Sequence, residues 1–472
     1  MAIVAAFMVP HPPMIVPDIG RGSEAQVEET TRAYEQVAEE IAALAPDTII
    51  ITSPHSVRYA DYFHISPGRH AKGSFAGFGA PQVKFEENYD TELVREICRL
   101  ADERDFPAGT LGERDKALDH GTMVPLWFIE KAYRETGKER NYQLVRMGLS
   151  ALPLTDHYRM GQLIAKAIDD LDLSGDSRRV VLVASGDLSH KLQEYGPYGF
   201  AKEGPQYDVR IMDVCGSGAF GELFDFSESF CENAAECGHR SFVVMAGAFD
   251  GVDVEAKALS HQDVTGVGYG VCTFYPKGFD TARRFLDQYL ADLEAEIDEK
   301  RSQSDEYVQL ARKSLESYIL KRERIDVPAD LPEEMLTTRA GAFVSIHKNG
   351  ALRGCIGTIG PTTSCVAQEI IDNAISASTR DPRFPPIEPD ELQWLDINVD
   401  VLGEPEEIES KEELDVKRYG VIVSSVGKRG LLLPDLEGVD TVDQQIEIAK
   451  QKAGIHRFET VKLQRFEVIR HV

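Results

Sequence analysis

Residues 180–190 read VVLVASGDLSH. The aliphatic run at 180–184 has no polar face, which predicts a strand buried on both sides, as in sheets covered by helices on both faces. It breaks at Ser185-Gly186 and delivers an ionisable pair, Asp187 and His190, just past its carboxyl end. In open α/β sheets that end of a strand is where ligands bind. The pattern recurs outward in both directions. IVAAFMV at 3–9 leads through Pro10 to His11 and two more prolines, and TIIITSP at 48–54 leads to His55. YQLVRMG at 142–148 and GYGVCTFYP at 268–276 are further strand candidates. Between them lie stretches of helical period at 23–44, 91–105, 156–171 and 240–251. Strands alternating with helices predict an α/β sandwich around a largely parallel or mixed sheet, spanning residues 1–276.

From 277 to 303 the chain is charged and helical in period, without the apolar strands seen on either side, so it is read as a helical linker. Residues 304–472 open with an amphipathic helix (YVQLARKSLESYIL) and continue as hairpins and helices. HKNGALRGCIG carries an Asn-Gly turn between two short strands, a strong hairpin signal. A smaller α+β domain is expected there.

Composition narrows the partners. Of 472 residues, 79 are acidic and 51 basic, a formal charge of −28 that repels phosphate backbones and anionic lipid. Nucleic acid and membrane surfaces are therefore not expected as partners. The first residues, MAIVAAFMVPHPP, lack a basic segment and stop being apolar at Pro10, so they read as a first strand and not a signal peptide. Seven cysteines without a Cys-x-x-Cys pair fit free thiols in a reducing compartment, and the expected location is the cytoplasm.

The candidate site assembles from element ends. His11 is held between prolines that fix the backbone, and His55 repeats the arrangement of buried strand, proline, histidine. His120 opens a helical stretch just after Asp119, where the helix dipole favours the neutral imidazole. His190 could serve as general base, with Asp187 either orienting a neighbour or capping the next segment. A histidine such as His11 taken singly reads more readily as a turn residue; it is their common placement that points to one metal site. Two histidines need a third ligand, and ENAAECGHRSF offers Glu236, Cys237 and His239 within four residues. Glu236 is preferred, because two histidines and a carboxylate leave open positions suited to Fe(II), with Cys237 as the alternative.

The set VPHPP, SPH, LDHGTMVPL, SGDLSH and the ECG segment resembles the class III extradiol dioxygenase (LigB-type) superfamily, which includes the Memo family. The resemblance implies His11 and His55 as iron ligands, His190 as acid/base and His120 as a donor to bound oxygen or substrate. Family members use glutamate as third ligand, Memo-like relatives cysteine and some histidine. The implied reaction is Fe(II)-dependent extradiol ring cleavage of a small catechol-type aromatic. Alternatives are a Memo-like metal-binding or redox module and a Zn2+-dependent hydrolase.

ALRGCIGTIG at 351–360, with DPRF at 381–384, GLLLP and KAGI following in order, is similar to the AMMECR-type domain. Arg353 beside Cys355 could activate the thiol as a nucleophile, with Asp381, Arg383 or His347 as orienters. Against this stands a thiol that is simply a small core group on a hairpin. Arg353, Asp381 and Arg383 could equally line an ion-paired cleft for a small molecule or a protein partner. Self-association of the chain is left open.

Overall fold

Continuous apolar runs become the centre of a six-stranded sheet. The computed structural model describes residues 2–113, 117–436 and 438–472. It divides into two compact units between Tyr289 and Leu290. In the first, the strands are β1 (Ile3–Val9), β2 (Thr48–Ser53), β3 (Gln143–Gly148), β4 (Val180–Ser185), β5 (Val252–Gln262) and β6 (Tyr269–Phe279). Their order across the sheet is β3-β2-β4-β1-β6-β5. The first four are parallel, while β6 runs antiparallel to both β1 and β5, so the sheet is mixed. Every residue of β2 and of β4 is buried, as strands covered on both faces must be. The helix His120–Thr136 packs on both of them and His239–Ala248 on β4, while Glu28–Leu44 packs on β1, β5 and β6.

β5 was not anticipated. VDVEAKALSHQ places charges and polar groups among its apolar residues, and only part of the strand is buried, as suits an edge. β6 continues to Phe279, where it still pairs with Val252, so the segment expected to be linker from 277 begins as sheet. The helical part of that segment is Phe285–Gln303, and the division between the units falls inside it.

The second unit is built on an antiparallel sheet of β7 (Ala342–Lys348), β8 (Ala351–Gly357), β9 (Leu395–Leu402), β10 (Tyr419–Ser425), β11 (Lys428–Leu432) and β12 (Lys462–His471). Their order is β8-β7-β9-β12-β10-β11. The turn between β7 and β8 is Asn349-Gly350, both with positive φ (54° and 77°), as a tight hairpin turn requires. The helices Glu306–Lys321 and Val366–Thr379 bury Leu315, Ile370 and Ala374 against Val344 and Ile397 of the sheet. Among the described residues no helix is long and apolar enough to cross a membrane.

Candidate metal centre

Three adjacent parallel strands, β2, β4 and β1, release their chains at the same edge of the sheet, and the side chains that follow them converge. His11 is almost wholly buried, and its Nε2 lies 3.0 Å from Nε2 of His55. The Sγ of Cys237 is 3.6 Å from the same His11 nitrogen. One ligand atom from each of these residues fits within a 4.8 Å group, as does a second, overlapping set of Asp187, His190 and Cys237. Cys237 reaches the cluster because two loops touch through glycine. A Cβ on Gly186 would lie 2.1 Å from the Cα of Gly238, so neither position tolerates a side chain without movement. That contact lays Asp187 beside Cys237, whose amide donates to the Asp187 carbonyl at 3.3 Å.

The hydrogen bonds behind His11 set its tautomer. Ser185 Oγ donates its only proton to the Gly121 carbonyl at 2.6 Å, so toward His11 it must accept. His11 Nδ1, 2.9 Å away, is therefore the protonated nitrogen, and Nε2 presents a lone pair to the cluster. Burial and then the neighbouring His55 lower the His11 pKa to about 3, so the ring is a neutral donor at ordinary pH. Burial also lowers the values of His55 and His190. Burial pushes the Cys237 thiol up, with Asp187 adding to it; a coordinated ion reverses this by holding the sulfur as thiolate. Two imidazoles and a sulfur at this spacing, one with its lone pair already aimed inward, fit a first-row transition ion or zinc.

His120 stands at the start of its helix, its ring centroid 4.0 Å from that of His55 and 5.4 Å from that of His11. Burial, followed by His55 and His11, takes its pKa to about 3, leaving a neutral ring. Asp119 caps the helix through the Thr122 amide at 3.1 Å. His190 stacks on Tyr198 at 5.0 Å. Asp187 accepts from the His11 amide at 2.7 Å, and burial raises its pKa to about 6 against the pull of that bond. It thus caps the His11 backbone instead of the segment after itself.

At the third position the side chain beside the histidines is that of Cys237, the alternative to Glu236. Glu236 turns away from the histidines: its carboxylate accepts from the His239 amide at 2.6 Å and lines a separate cavity with Arg58, His239 and Arg240. His239 is equally committed, its ring between the Tyr207 hydroxyl and the Leu223 carbonyl. Cys237 alone of the three faces His11 and His55. Ser185 was missed as a partner of His11; the small polar residue ending an apolar strand beside Asp187 was its only signal.

The model for the catalytic LigB subunit of aromatic ring-opening dioxygenase matches residues 5–272, and the AMMECR1 model matches 308–471. The chain belongs to the LigB family, fused to an AMMECR1 domain. A Clostridium acetobutylicum protein is 41% identical over the whole of this chain and 99% of its own. One from Thermotoga maritima is 52% identical over 35% of this chain and 96% of its own. Among solved structures, a Pyrococcus horikoshii protein shares 32% identity over 35% of this chain and 88% of its own, with a TM-score of 0.33. An Escherichia coli K12 protein shares 15% over 57% and 99%, with a TM-score of 0.37.

In the AMMECR1 domain the motif arginines are each paired with a carboxylate. Arg353 does not serve Cys355: its guanidinium makes a two-pronged contact with Glu391 (2.9 and 2.8 Å) and donates to the Pro385 and Pro386 carbonyls. Asp381 accepts from the Cys355 amide at 2.9 Å and from Arg383 Nε and Nη2 at 2.9 and 2.7 Å. Those bonds from Arg383 hold its carboxyl well below the usual range. Arg383 also reaches the Cys355 carbonyl at 3.2 Å. The thiol itself accepts from Ser345 Oγ at 3.3 Å. His347 is not an orienter of Cys355; it sits in register with Leu352 and Asp396.

Proposed function

We propose that the LigB domain is a metal-dependent oxidoreductase acting on a small catechol-type aromatic, with His11, His55 and Cys237 holding the ion. The observation that carries this reading is the convergence of two ring nitrogens at 3.0 Å and a sulfur at 3.6 Å beside two further neutral histidines. Held by these three residues, an Fe(II)-type ion would supply Lewis-acid activation of the diol and electron transfer to O2. His190 is the base for a diol proton: burial lowers its pKa, so it is neutral and ready to accept. Stacking on Tyr198 fixes the plane of its ring. His120 offers a ring nitrogen next to His55, placed to donate to a substrate oxygen. Asp187 holds the His11 backbone and thereby the ligand ring.

Cys237 favours a second reading. A thiolate is a softer donor than the carboxylate expected here, and it suits a redox or metal-binding module without ring cleavage, or a zinc site in which His190 shuttles protons for hydrolysis. Protein purified anaerobically, loaded with Fe(II), mixed with a panel of catechols and exposed to O2 separates these readings. Ring cleavage yields a coloured product with matching O2 uptake, and His190→Ala removes turnover while retaining iron. Stoichiometric iron without product across the panel supports the second reading.

A further inference from the structure

A buried arginine stands where the sheet should be aliphatic. Arg146 lies mid-strand in β3, in register with Ile51 of β2, and is 2% exposed. Arginine cannot shed its charge, so burial there is costly unless the charge is matched. Its Nε donates to Asp119 Oδ2 at 3.1 Å, and its Nη1 lies 3.8 Å from the buried carboxylate of Glu113.

Asp119 is more than a helix cap. Its Oδ1 accepts from Ser53 Oγ at 2.5 Å and from the Thr122 amide at 3.1 Å, while Oδ2 accepts from Thr122 Oγ1 at 3.0 Å and from Arg146. Ser53 Oγ in turn accepts from the His55 amide at 3.2 Å. Gly121 permits this approach, since a Cβ there would lie 2.3 Å from Ser53 Oγ. The Gly121 carbonyl receives the Ser185 hydroxyl that orients His11. The turn Asp119-His120-Gly121 therefore touches all three histidine supports: His55 through Ser53, His120 directly, and His11 through Ser185. An uncharged serine or asparagine would cap the helix as well, for the ~1 kcal/mol a cap contributes. A buried arginine–aspartate pair is unnecessary for capping alone.

We infer that Arg146 is a positioning residue for the metal centre: it anchors Asp119, and through Ser53 and the helix start sets the relative placement of the His55, His120 and His11 rings. This rests on the metal reading above.

The test is Co(II) titration of the full chain, followed by its visible ligand-field absorption, with thermal melts to establish folding. Arg146→Met should weaken Co(II) affinity by roughly 10- to 100-fold, the usual cost of losing an outer partner of a ligand, and shift the absorption bands. Arg146→Lys, which keeps the charge, should return to within about 3-fold of the native affinity on the same scale. Ser53→Ala leaves the Arg146–Asp119 pair in place and should weaken binding about 10-fold by cutting its link to His55; if Arg146→Met does not fold, Arg146→Gln takes its place in the comparison with Arg146→Lys. Native affinity and native bands in Arg146→Met and Ser53→Ala would overturn the inference, as would an Arg146→Lys protein no better than Arg146→Met. A native protein that takes up no Co(II) overturns the metal reading and this inference together; native binding with unaltered variants overturns this inference alone.

Discussion

At His11 and His55 two neutral imidazoles face each other 3.0 Å apart with a thiol alongside, whereas around Cys355 two motif arginines are each matched to a carboxylate, Arg353 to Glu391 and Arg383 to Asp381, and Lys452 of the KAGI segment stands near the thiol with its pKa lowered by burial. The first arrangement gathers two ring nitrogens and a sulfur, all uncharged and in contact with one another, around a common point, which is what an ion needs. The second pairs its two arginines with carboxylates and uses those pairs to pin a strand. Both regions carry specific sequence motifs, so motif specificity alone does not separate a reacting site from a structural one. What separates them is the kind of group that meets: neutral side chains of metal-ligand type in the first, arginines paired with carboxylates in the second.

The sharpest way to break that contrast is metal binding. His11→Ala should weaken Fe(II) or Co(II) binding by more than the roughly 100-fold limit typical of outer partners, because it removes a ligand itself. Cys237→Ser should follow within about tenfold of that loss, and Glu236→Gln should stay near native affinity, since its carboxylate caps His239. Calorimetric titration of each variant reads all three. A reversed order, with Glu236→Gln the damaging change, would restore the carboxylate as third ligand.

Asp381→Ala should strike the other side of the contrast. It strips the Cys355 amide of its acceptor, while the half-exposed Arg383 turns to water, and should lower the stability of the AMMECR1 domain by about 2 kcal/mol. Denaturant unfolding gives the number, and metal affinity should not change. A drop in metal affinity without loss of stability would contradict the structural role.

How far these features were legible in the sequence follows from what each depends on. β2 and β4 were plain because an apolar run buried on both faces admits few other readings. β5 was hidden because an edge strand keeps charged residues such as Glu255 and Lys257, and its pairing with β6 is a long-range fact. The histidines were legible as strand-end residues. The third donor was not: Glu236, Cys237 and His239 differ only in which way the start of one helix turns, and the Gly186–Gly238 contact decides it. Arg146 left a trace, a lone cation in YQLVRMG, whose meaning appears only with Asp119, 27 residues earlier. Arg353 was read as a partner of Cys355 by adjacency, but Glu391, 38 residues later, had the better claim.

Acid should discriminate the two regions more gently. Burial opposes ionisation of Glu391, yet the bonds from Arg353, the Glu388 amide and Lys348 outweigh it and take its pKa from 4.5 to about 2. A carboxyl depressed in the folded state contributes stability that is present above the unfolded value and is lost as pH falls through the folded one. Between about pH 4.5 and 2 the AMMECR1 domain should therefore lose roughly 2 to 3 kcal/mol from this group. Unfolding of the wild type and Glu391→Gln measured at pH 7 and pH 3 checks it: the variant starts lower and shows less of the acid slope.

The smallest effect expected is at the most recognisable residue of the second region. Cys355 is partly buried on β8, accepts one hydrogen bond from Ser345 and lends its backbone to Asp381 and Arg383. The interactions that hold the strand run through its amide and carbonyl, which no side-chain substitution removes. Cys355→Ser keeps a polar atom near Ser345 and should cost less than about 1 kcal/mol of stability, the range of a single modest hydrogen bond. Metal affinity and any turnover in the LigB domain should be untouched. Loss of an activity in this variant, with stability intact, would make the thiol a reacting group and would erase the distinction between a cluster of neutral ligand-type side chains and a hairpin held by paired charges.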